Sequence, residues 1–115
     1  ALAVGIGDRI LMMEHAVYSV ISPEGCAAIL WKDQSEVQRA AAALRLTSND
    51  LLRLGIIDEI LPEPLGGAHM DPALAIRTVG GALRKALSGL RRVKRTDLPR
   101  RRFAKFRAMG YFSER

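Results

Sequence analysis

The quartet Ser22, Pro23, Glu24 and Gly25 is the part of the sequence best suited to chemistry. A serine is a favoured N-cap and a proline fits the first helical position, so a helix is predicted to start at Pro23. The first N–H groups of a helix have no partners within it and carry a partial positive charge. Because fixed donors stabilise a developing oxyanion without reorganising, this turn is a candidate oxyanion site. An ordinary strand-to-helix connection explains the same residues.

Few side chains near this turn offer further chemistry. A helix N-terminus would stabilise Glu24 as the anion, which favours a hydrogen-bond acceptor or a helix-dipole partner over a general acid. Cys26 is either an activated nucleophile or an inert member of a core helix, and its apolar neighbours favour the core. Neither His15 nor His69 stands at a spacing that identifies a base or a pair of metal ligands. The sequence therefore indicates no metal site.

Three short apolar stretches are predicted to be strands. Residues 10–13 and 17–21 precede the turn, and in the second stretch both faces would be covered, as in a layered α/β protein. Residues 56–61 form the third, which two prolines close, and the sequence PLGGAH then forms a loop. The turn is thus expected to follow a buried strand directly.

Helices are predicted between and after these strands. Two pairs of residues have the spacing of capping boxes, namely Ser35 with Gln38 and Thr47 with Asp50. The first predicts a helix over 37–46, and the second predicts a short helix that stops at Gly55.

A longer helix is predicted to start at Asp71 and Pro72, an N-cap and first-turn pair. One face of it carries residues at helical spacing, which are Ile76, Val79, Gly80, Leu83, Leu87 and Leu90. Gly80 and Gly81 each cost a helix about 1 kcal/mol relative to Ala. We therefore expect close packing against a neighbouring element there.

The last third of the chain combines a final predicted helix with most of the positive charge. Thr96 is expected to cap this helix, with Phe103 and Phe106 inward and Gly110 at its end. The whole chain has a net charge of +6, and the basic residues of this region are Arg84, Lys85, Arg91, Arg92, Lys94, Arg95, Arg100, Arg101, Arg102, Lys105 and Arg107. They fit a solvated helical face. Nucleic-acid binding is the alternative, although no recognised motif accompanies the charge.

Length and composition limit the class of protein. The 115 residues suffice for one domain or a piece of one. The apolar start at Ala1, without a Met or a capping residue, predicts that the chain begins inside an element. A single cysteine allows no internal disulfide. No stretch has the pattern of a signal peptide or the length of a membrane span, so a cytoplasmic location is expected.

Three sequence blocks carry a resemblance to a known family. GDRILMMEHAVYSVISPEGCAAILWKD, LGIIDEILPEPLGGAH and KFRAMGYF resemble the C-terminal part of the α subunit of bacterial acetyl-coenzyme A carboxylase carboxyltransferase. The likeness runs over essentially the whole chain. It implies an α/β fold of the crotonase-like (ClpP/crotonase) type, of which only the C-terminal part is present. Residues 1–115 would be one partial domain, with 72–115 as a helix-rich C-terminal extension.

The resemblance implies an activity and a set of partners. The family moves a carboxyl group from carboxybiotin, held by a biotin carboxyl carrier protein, to acetyl-CoA, which gives malonyl-CoA for fatty acid biosynthesis. The substrates are thus biotin and acetyl-CoA, no metal is expected on this chain, and ATP is used by the whole complex. The partners implied are a carboxyltransferase β subunit and a second α subunit in an α2β2 assembly. Membrane and nucleic-acid partners are not expected.

The resemblance also implies roles for particular residues. Relatives in the wider crotonase pattern place an oxyanion N–H and a carboxylate at the turn that matches Ser22 and Glu24. The Ser22 backbone and Glu24 are therefore the candidate catalytic groups, and the candidate substrate-binding residues are Ile21, Pro23, Gly25, Gly66 and Gly67. The ureido group of biotin is implied as the base, so no side-chain nucleophile is required and Cys26 is dispensable.

The resemblance further implies that this chain lacks part of the active site. The glycine-rich oxyanion loop of the family precedes the segment that ALAVGIGD matches, so the chain is expected to begin just after that loop. We expect no carboxyltransferase activity from these 115 residues alone. The alternatives are another crotonase-type acyl-CoA enzyme, a hydratase or a decarboxylase, or a basic nucleic-acid-binding module.

Overall fold

The computed structural model describes residues 2–110, a mixed structure with six helices and two strands in that range. The helices are α1 Leu2–Gly5, α2 Pro23–Leu30, α3 Val37–Leu44, α4 Ser48–Arg53, α5 Pro72–Arg91 and α6 Leu98–Arg107. The strands are β1 Leu11–Met13 and β2 Glu59–Leu61, and a 3₁₀ turn spans Gln34–Glu36. The end of the KFRAMGYF block and of the expected extension, residues 111–115, lies outside the described residues.

The two strands pair in parallel, with Leu11 beside Glu59 and Met13 beside Leu61. A parallel pair needs a long crossover, and here the segment with α2, α3 and α4 provides it. The α/β class expected from the sequence is thus present. Two of the three predicted strands are confirmed, each shorter than its apolar stretch.

The prediction of a buried strand over 17–21 is wrong. Only Val17 is paired, through an isolated antiparallel bridge to Thr47, and Tyr18 N donates to Leu46 O at 3.3 Å. The side chains of Val17 and Val20 are 77% and 86% exposed, so apolar composition did not lead to burial in the described chain. The candidate turn therefore follows an irregular segment.

One hydrophobic cluster lies around the small sheet. Its buried members are Ile10, Met12, Leu51 and Ile57, and Ala16, Tyr18, Ile56, Ile60 and Phe106 pack against it. The fully buried Ser48 supports the turn after β1, since its Oγ donates to Glu14 O at 2.6 Å. This cluster fixes the strand ends that carry the loops described below.

A second cluster holds α2 against α3. Cys26, Ala27 and Ala40 are its buried members, and these small side chains let the two helices approach closely. Trp31 is half-buried at the end of α2, with the Arg39 guanidinium 5.0 Å from its ring centroid. The expectation that Cys26 belongs to the core is confirmed for these helices.

The capping predictions are confirmed for α4 and wrong for α3. Thr47 Oγ1 accepts from Asp50 N at 3.4 Å, and Gly55, with φ +72°, follows the end of α4. Before α3, however, Asp33 accepts from Ser35 N at 2.8 Å and a 3₁₀ turn intervenes. The Asp33 carboxylate thus accepts a hydrogen bond from Ser35, the residue that the sequence pattern predicted as the cap.

Helix α5 starts as predicted, with Leu74 N donating to Asp71 Oδ1 at 2.9 Å. Half of its apolar stripe is exposed within the described residues, namely Ile76, Leu83 and Leu87, whereas Val79 and Leu90 are half-buried. A Cβ added at Gly80 or Gly81 would meet nothing within 4 Å. The expectation of close packing at these glycines is therefore wrong for the described chain.

Helix α6 differs from prediction at its start. Asp97 is the N-cap position without a side-chain capping bond, so the Thr96 cap is wrong. Phe106 packs on the sheet cluster as expected, whereas Phe103 is 67% exposed. Gly110 has φ +90° shortly after the helix ends, which fits its expected place.

Candidate functional site

The turn into α2 has the predicted capping geometry. Ser22 is extended, with φ −71° and ψ 154°, and its Oγ accepts from Gly25 N at 3.1 Å. Pro23 occupies the first turn, and Cys26 N donates to Ser22 O at 2.9 Å. The sharp turn is thus fixed by two local hydrogen bonds and one proline ring.

These bonds determine which N–H groups remain at the turn. The Gly25 and Cys26 N–H groups are used within it, and Pro23 has none. Within residues 2–110, the backbone N–H groups of Ser22 and Glu24 have no hydrogen-bond partner. Both residues are exposed. The turn therefore offers two backbone donors, next to the positive end of an eight-residue helix.

The other predicted residues of the turn pack against one another. Ile21 is half-buried against the cluster that contains Cys26. A Cβ at Gly25 would lie 3.0 Å from Ile21 Cγ1 and 3.4 Å from Ser22 Oγ, so a larger residue here would have to displace these side chains slightly. Cys26 is itself buried, which removes its thiol from any ligand at the turn.

The second candidate feature is the loop after β2. Gly66 and Gly67 have φ +87° and +109°, a region that side-chain-bearing residues rarely adopt. Gly67 N donates to Pro64 O at 2.9 Å, and Met70 N donates to Gly67 O at 3.1 Å. The loop follows the carboxyl end of β2, and ligands of open parallel sheets bind outside such ends.

Glu63 joins this loop to the turn after β1. Its Oε1 accepts from His15 N at 3.1 Å and its Oε2 accepts from Ala68 N at 3.0 Å. Glu63 N in turn donates to Glu14 Oε2 at 3.3 Å. Sequence reasoning missed this residue, whose only local signal is an acidic side chain just after a strand.

The structure brings the five candidate residues of the α2 turn together and places the two glycines on a separate loop. Within the described range, no hydrogen bond links Ile21–Gly25 to the loop of Gly66 and Gly67. The two candidate features are therefore distinct backbone elements: the α2 turn is held by the cluster between α2 and α3, and the glycine loop follows β2.

A basic cleft lies at the amino ends of the two strands, whereas the glycine loop follows the carboxyl end of β2. It has a volume of about 640 Å³ and lies between α5, α6 and the segments that precede the strands. Two of its basic residues are paired, Lys105 with Asp58 at 2.5 Å and Arg102 with Asp8 at 3.4 Å. Part of the predicted basic surface therefore binds acidic groups of the same chain.

The described part of the chain contains neither a metal-ligand cluster nor a membrane-spanning helix. Residues 2–110 contain no group of three or more His, Cys, Asp or Glu residues placed to hold a metal ion. None of the helices described there has the length and apolar character needed to cross a membrane.

Comparison with known proteins gives one consistent result. The family model described as "Acetyl co-enzyme A carboxylase carboxyltransferase-like" matches residues 1–110. The chain is 51% identical over 114 residues to the acetyl-coenzyme A carboxylase carboxyl transferase subunit alpha of Trichodesmium erythraeum, with 99% of this chain and 35% of the relative covered. The protein of the same name from Trichormus variabilis is 54% identical, with 99% of this chain and 35% of the relative covered. The one from Thermus thermophilus is 52% identical, with 99% of this chain and 36% of the relative covered.

The chain thus spans about a third of the length of the curated relatives it matches. The match covers the α2 turn, the glycine loop and both long helices, because it includes residues 1–110. On this evidence, the chain belongs to the acetyl co-enzyme A carboxylase carboxyltransferase-like family.

Proposed function

We propose that this chain is part of a carboxyltransferase that moves a carboxyl group from carboxybiotin to acetyl-CoA. The observation that carries the proposal is an identity of 51% across 99% of the chain with a protein named as the carboxyl transferase subunit alpha. In this reaction the N–C bond of carboxybiotin breaks and a C–C bond forms at the acetyl methyl carbon. The methyl proton ends on the ureido nitrogen of biotin, and the product is malonyl-CoA.

The α2 turn would act through its backbone in this reaction. The unpaired N–H groups of Ser22 and Glu24 lie at the positive end of α2 and would polarise a substrate carbonyl. The exposed Glu24 carboxylate would stabilise the helix start, because biotin already supplies the base. Ile21, Pro23 and Gly25 would shape the surface beside these donors.

The glycine loop would bind substrate beside a strand end. Gly66 and Gly67 let a ligand approach the backbone closely, and the Gly66 N–H has no partner in the described range. We assign these parts to a crotonase-like α/β fold in the complete subunit. The small parallel sheet and its crossover helices are consistent with that assignment.

The complete enzyme would be an α2β2 assembly in the cytoplasm, with a β subunit and a biotin carboxyl carrier protein as partners. Exposed apolar side chains on α5, among them Ile76, Leu83 and Leu87, support contacts beyond this chain. The 115 residues alone would be inactive, since the relatives are about three times as long.

The activity is tested with the complete subunit that carries this sequence, assembled with its β partner. We expect carboxyl transfer from carboxybiotin to acetyl-CoA, measured as malonyl-CoA formed, and no hydration of enoyl-CoA. Hydration or acyl-CoA decarboxylation in the absence of biotin-dependent transfer would show that the chain serves another crotonase-type reaction.

The role of Glu24 is tested in the same complex by Glu24→Gln. We expect kcat to change by less than about twofold, whereas loss of a general acid or base costs about 100-fold or more. Glu36→Gln is the matched control, because Glu36 lies at the start of α3 and its side chain is 40% exposed. A drop of 100-fold for Glu24→Gln alone would give the carboxylate a chemical role.

A further inference from the structure

Glu63 occupies a position between two segments that are far apart in sequence. Its Oε1 accepts from His15 N, 48 residues away, and its Oε2 accepts from Ala68 N, five residues away. Both oxygens of one half-buried carboxylate are therefore engaged by backbone donors. Hydrogen bonds to an ionised carboxylate are about twice as strong as neutral ones, so this bridge is a strong connection for a surface loop.

The loop on one side of this bridge has two backbone hydrogen bonds of its own, from Gly67 N to Pro64 O and from Met70 N to Gly67 O, and both lie within the loop. Of the bonds that the structure gives this loop, those to Glu63 are the ones that connect it to the turn after β1. The two glycines of the loop have positive φ values, and glycine is the most flexible residue in an unrestrained chain. A Cβ at Gly67 would lie 3.1 Å from the imidazole of His69 and 3.7 Å from Glu63 Oε2, so the carboxylate lies directly behind the loop backbone. Glu63 thus sets where the glycine backbone stands relative to the end of β1.

Only a glutamate satisfies both ends of the bridge. A glutamine of the same length has one acceptor oxygen, and its NH2 group would face one of the two backbone N–H donors. An aspartate keeps two acceptors but is shorter by one methylene group, so it would lose contact with at least one side. Each change releases the loop without altering the two glycines.

We infer that Glu63 is a positioning residue for carboxyl transfer, which holds the loop of Gly66 and Gly67 in the geometry that binds substrate. This inference rests on the proposed function and extends it to a residue outside both candidate features. Glu63 acts through the backbone N–H groups that it accepts and need not touch the reacting atoms.

The test is Glu63→Gln in the complete carboxyltransferase, with KM for each substrate, kcat and the melting temperature measured together. Misplacement of binding groups by about 1 Å costs about 100-fold in rate, so we expect kcat/KM to fall by about 10- to 100-fold. The KM of at least one substrate should rise about tenfold. Glu14→Gln is the local control: it retains an acceptor for Glu63 N and leaves both carboxylate bonds of Glu63 intact, so its kinetic constants should match the unchanged enzyme.

The possible results distinguish a wrong role for Glu63 from a wrong proposed function. Absence of carboxyl transfer in the unchanged complex would overturn the proposed function and the inference with it. Transfer with unaltered KM values in Glu63→Gln, or an equal loss in Glu14→Gln, would overturn the inference alone. If Glu63→Gln yields no folded complex, Glu63→Asp carries the same test, with the same rise in KM expected and the same result against it.

Discussion

Lys105 is the residue whose loss we expect to release α6 from the sheet. Its Nζ lies 2.5 Å from Asp58 Oδ2 and 3.2 Å from Asp8 O, and the Lys105 and Asp58 side chains are each 20% exposed. Asp58 Oδ2 also accepts from Ile10 N at 2.7 Å. Lys105→Met keeps most of the aliphatic stem and removes the charge. The Asp58 carboxylate is then left with one backbone donor.

The magnitude follows from the kind of bond that is lost. Hydrogen bonds to charged groups contribute about 1.5–3 kcal/mol net, more than exposed ion pairs do. We expect the free energy of local opening of α6 to fall by about 2 kcal/mol, which is about 30-fold in the opening equilibrium. Arg102→Met is the matched control one turn earlier, since Arg102 Nη1 lies 3.4 Å from Asp8 Oδ2 and its side chain is 42% exposed. Exposed pairs contribute about 0–1 kcal/mol, so this change should stay below about fivefold.

The opening equilibrium of α6 in both variants can be measured by hydrogen exchange and mass spectrometry on the complete subunit, from peptides that cover Leu98–Arg107. A faster exchange of α6 in Lys105→Met, with little change in Arg102→Met, is the expected result. Equal effects of the two substitutions, or a larger one for Arg102→Met, would refute the argument that burial decides the strength of these pairs.

Three other predictions concern stability. Ser22→Ala removes the acceptor of Gly25 N and should destabilise the complete subunit by about 1 kcal/mol in urea unfolding, and an unchanged midpoint would contradict the capping role. Gly5→Ala places a Cβ against the Tyr18 hydroxyl and should destabilise the complete subunit by about 1–3 kcal/mol in the same urea unfolding. Gly80→Ala is its control, because a Cβ there meets nothing within 4 Å in the described residues. The isolated 115-residue chain should melt broadly or aggregate, because α5 exposes apolar side chains, and a sharp reversible transition in calorimetry would argue against this.

The sequence predicted best the features that depend on a few neighbouring residues. The caps at Ser22, Thr47 and Asp71 each accept an N–H three residues ahead, so the relevant partners are visible in any short window. The ends of these helices are local in the same way, as Gly55 with its positive φ shows. Where two local partners compete, the pattern is ambiguous, and Asp33 took the N–H of Ser35.

Features that depend on distant partners were predicted poorly. The stretch over 17–21 has the composition of a buried strand, but a strand forms only where a partner edge lies beside it, and Val17 alone finds one. The glycines of α5 suggested a close neighbour that the described residues do not contain. The burial of an element depends on which other elements pack against it, and a single sequence does not show these contacts.

In the candidate site, too, local features were predicted from the sequence and those with distant partners were not. Gly66 and Gly67 were proposed from a sequence block, and their positive φ values agree with a loop that needs glycine. Glu63 was missed because its bond to His15 N spans 48 residues and leaves no spacing pattern. The unpaired N–H groups of Ser22 and Glu24 could likewise be identified only from the structure. It shows that the Gly25 and Cys26 N–H groups are used within the turn.

The parallel pairing of β1 with β2 has a consequence for the order in which the chain folds. Leu11 pairs with Glu59, so the whole crossover must be synthesised before the sheet can close. The α2 and α3 hairpin, in contrast, is held by contacts between nearby residues such as Cys26 and Ala40. Local contacts form faster than distant ones, and domains emerge from the ribosome N-terminal end first. We therefore expect the helical hairpin to form before β2 has been synthesised. Until β2 pairs with β1, the apolar side chains of β1 would be exposed to chaperones.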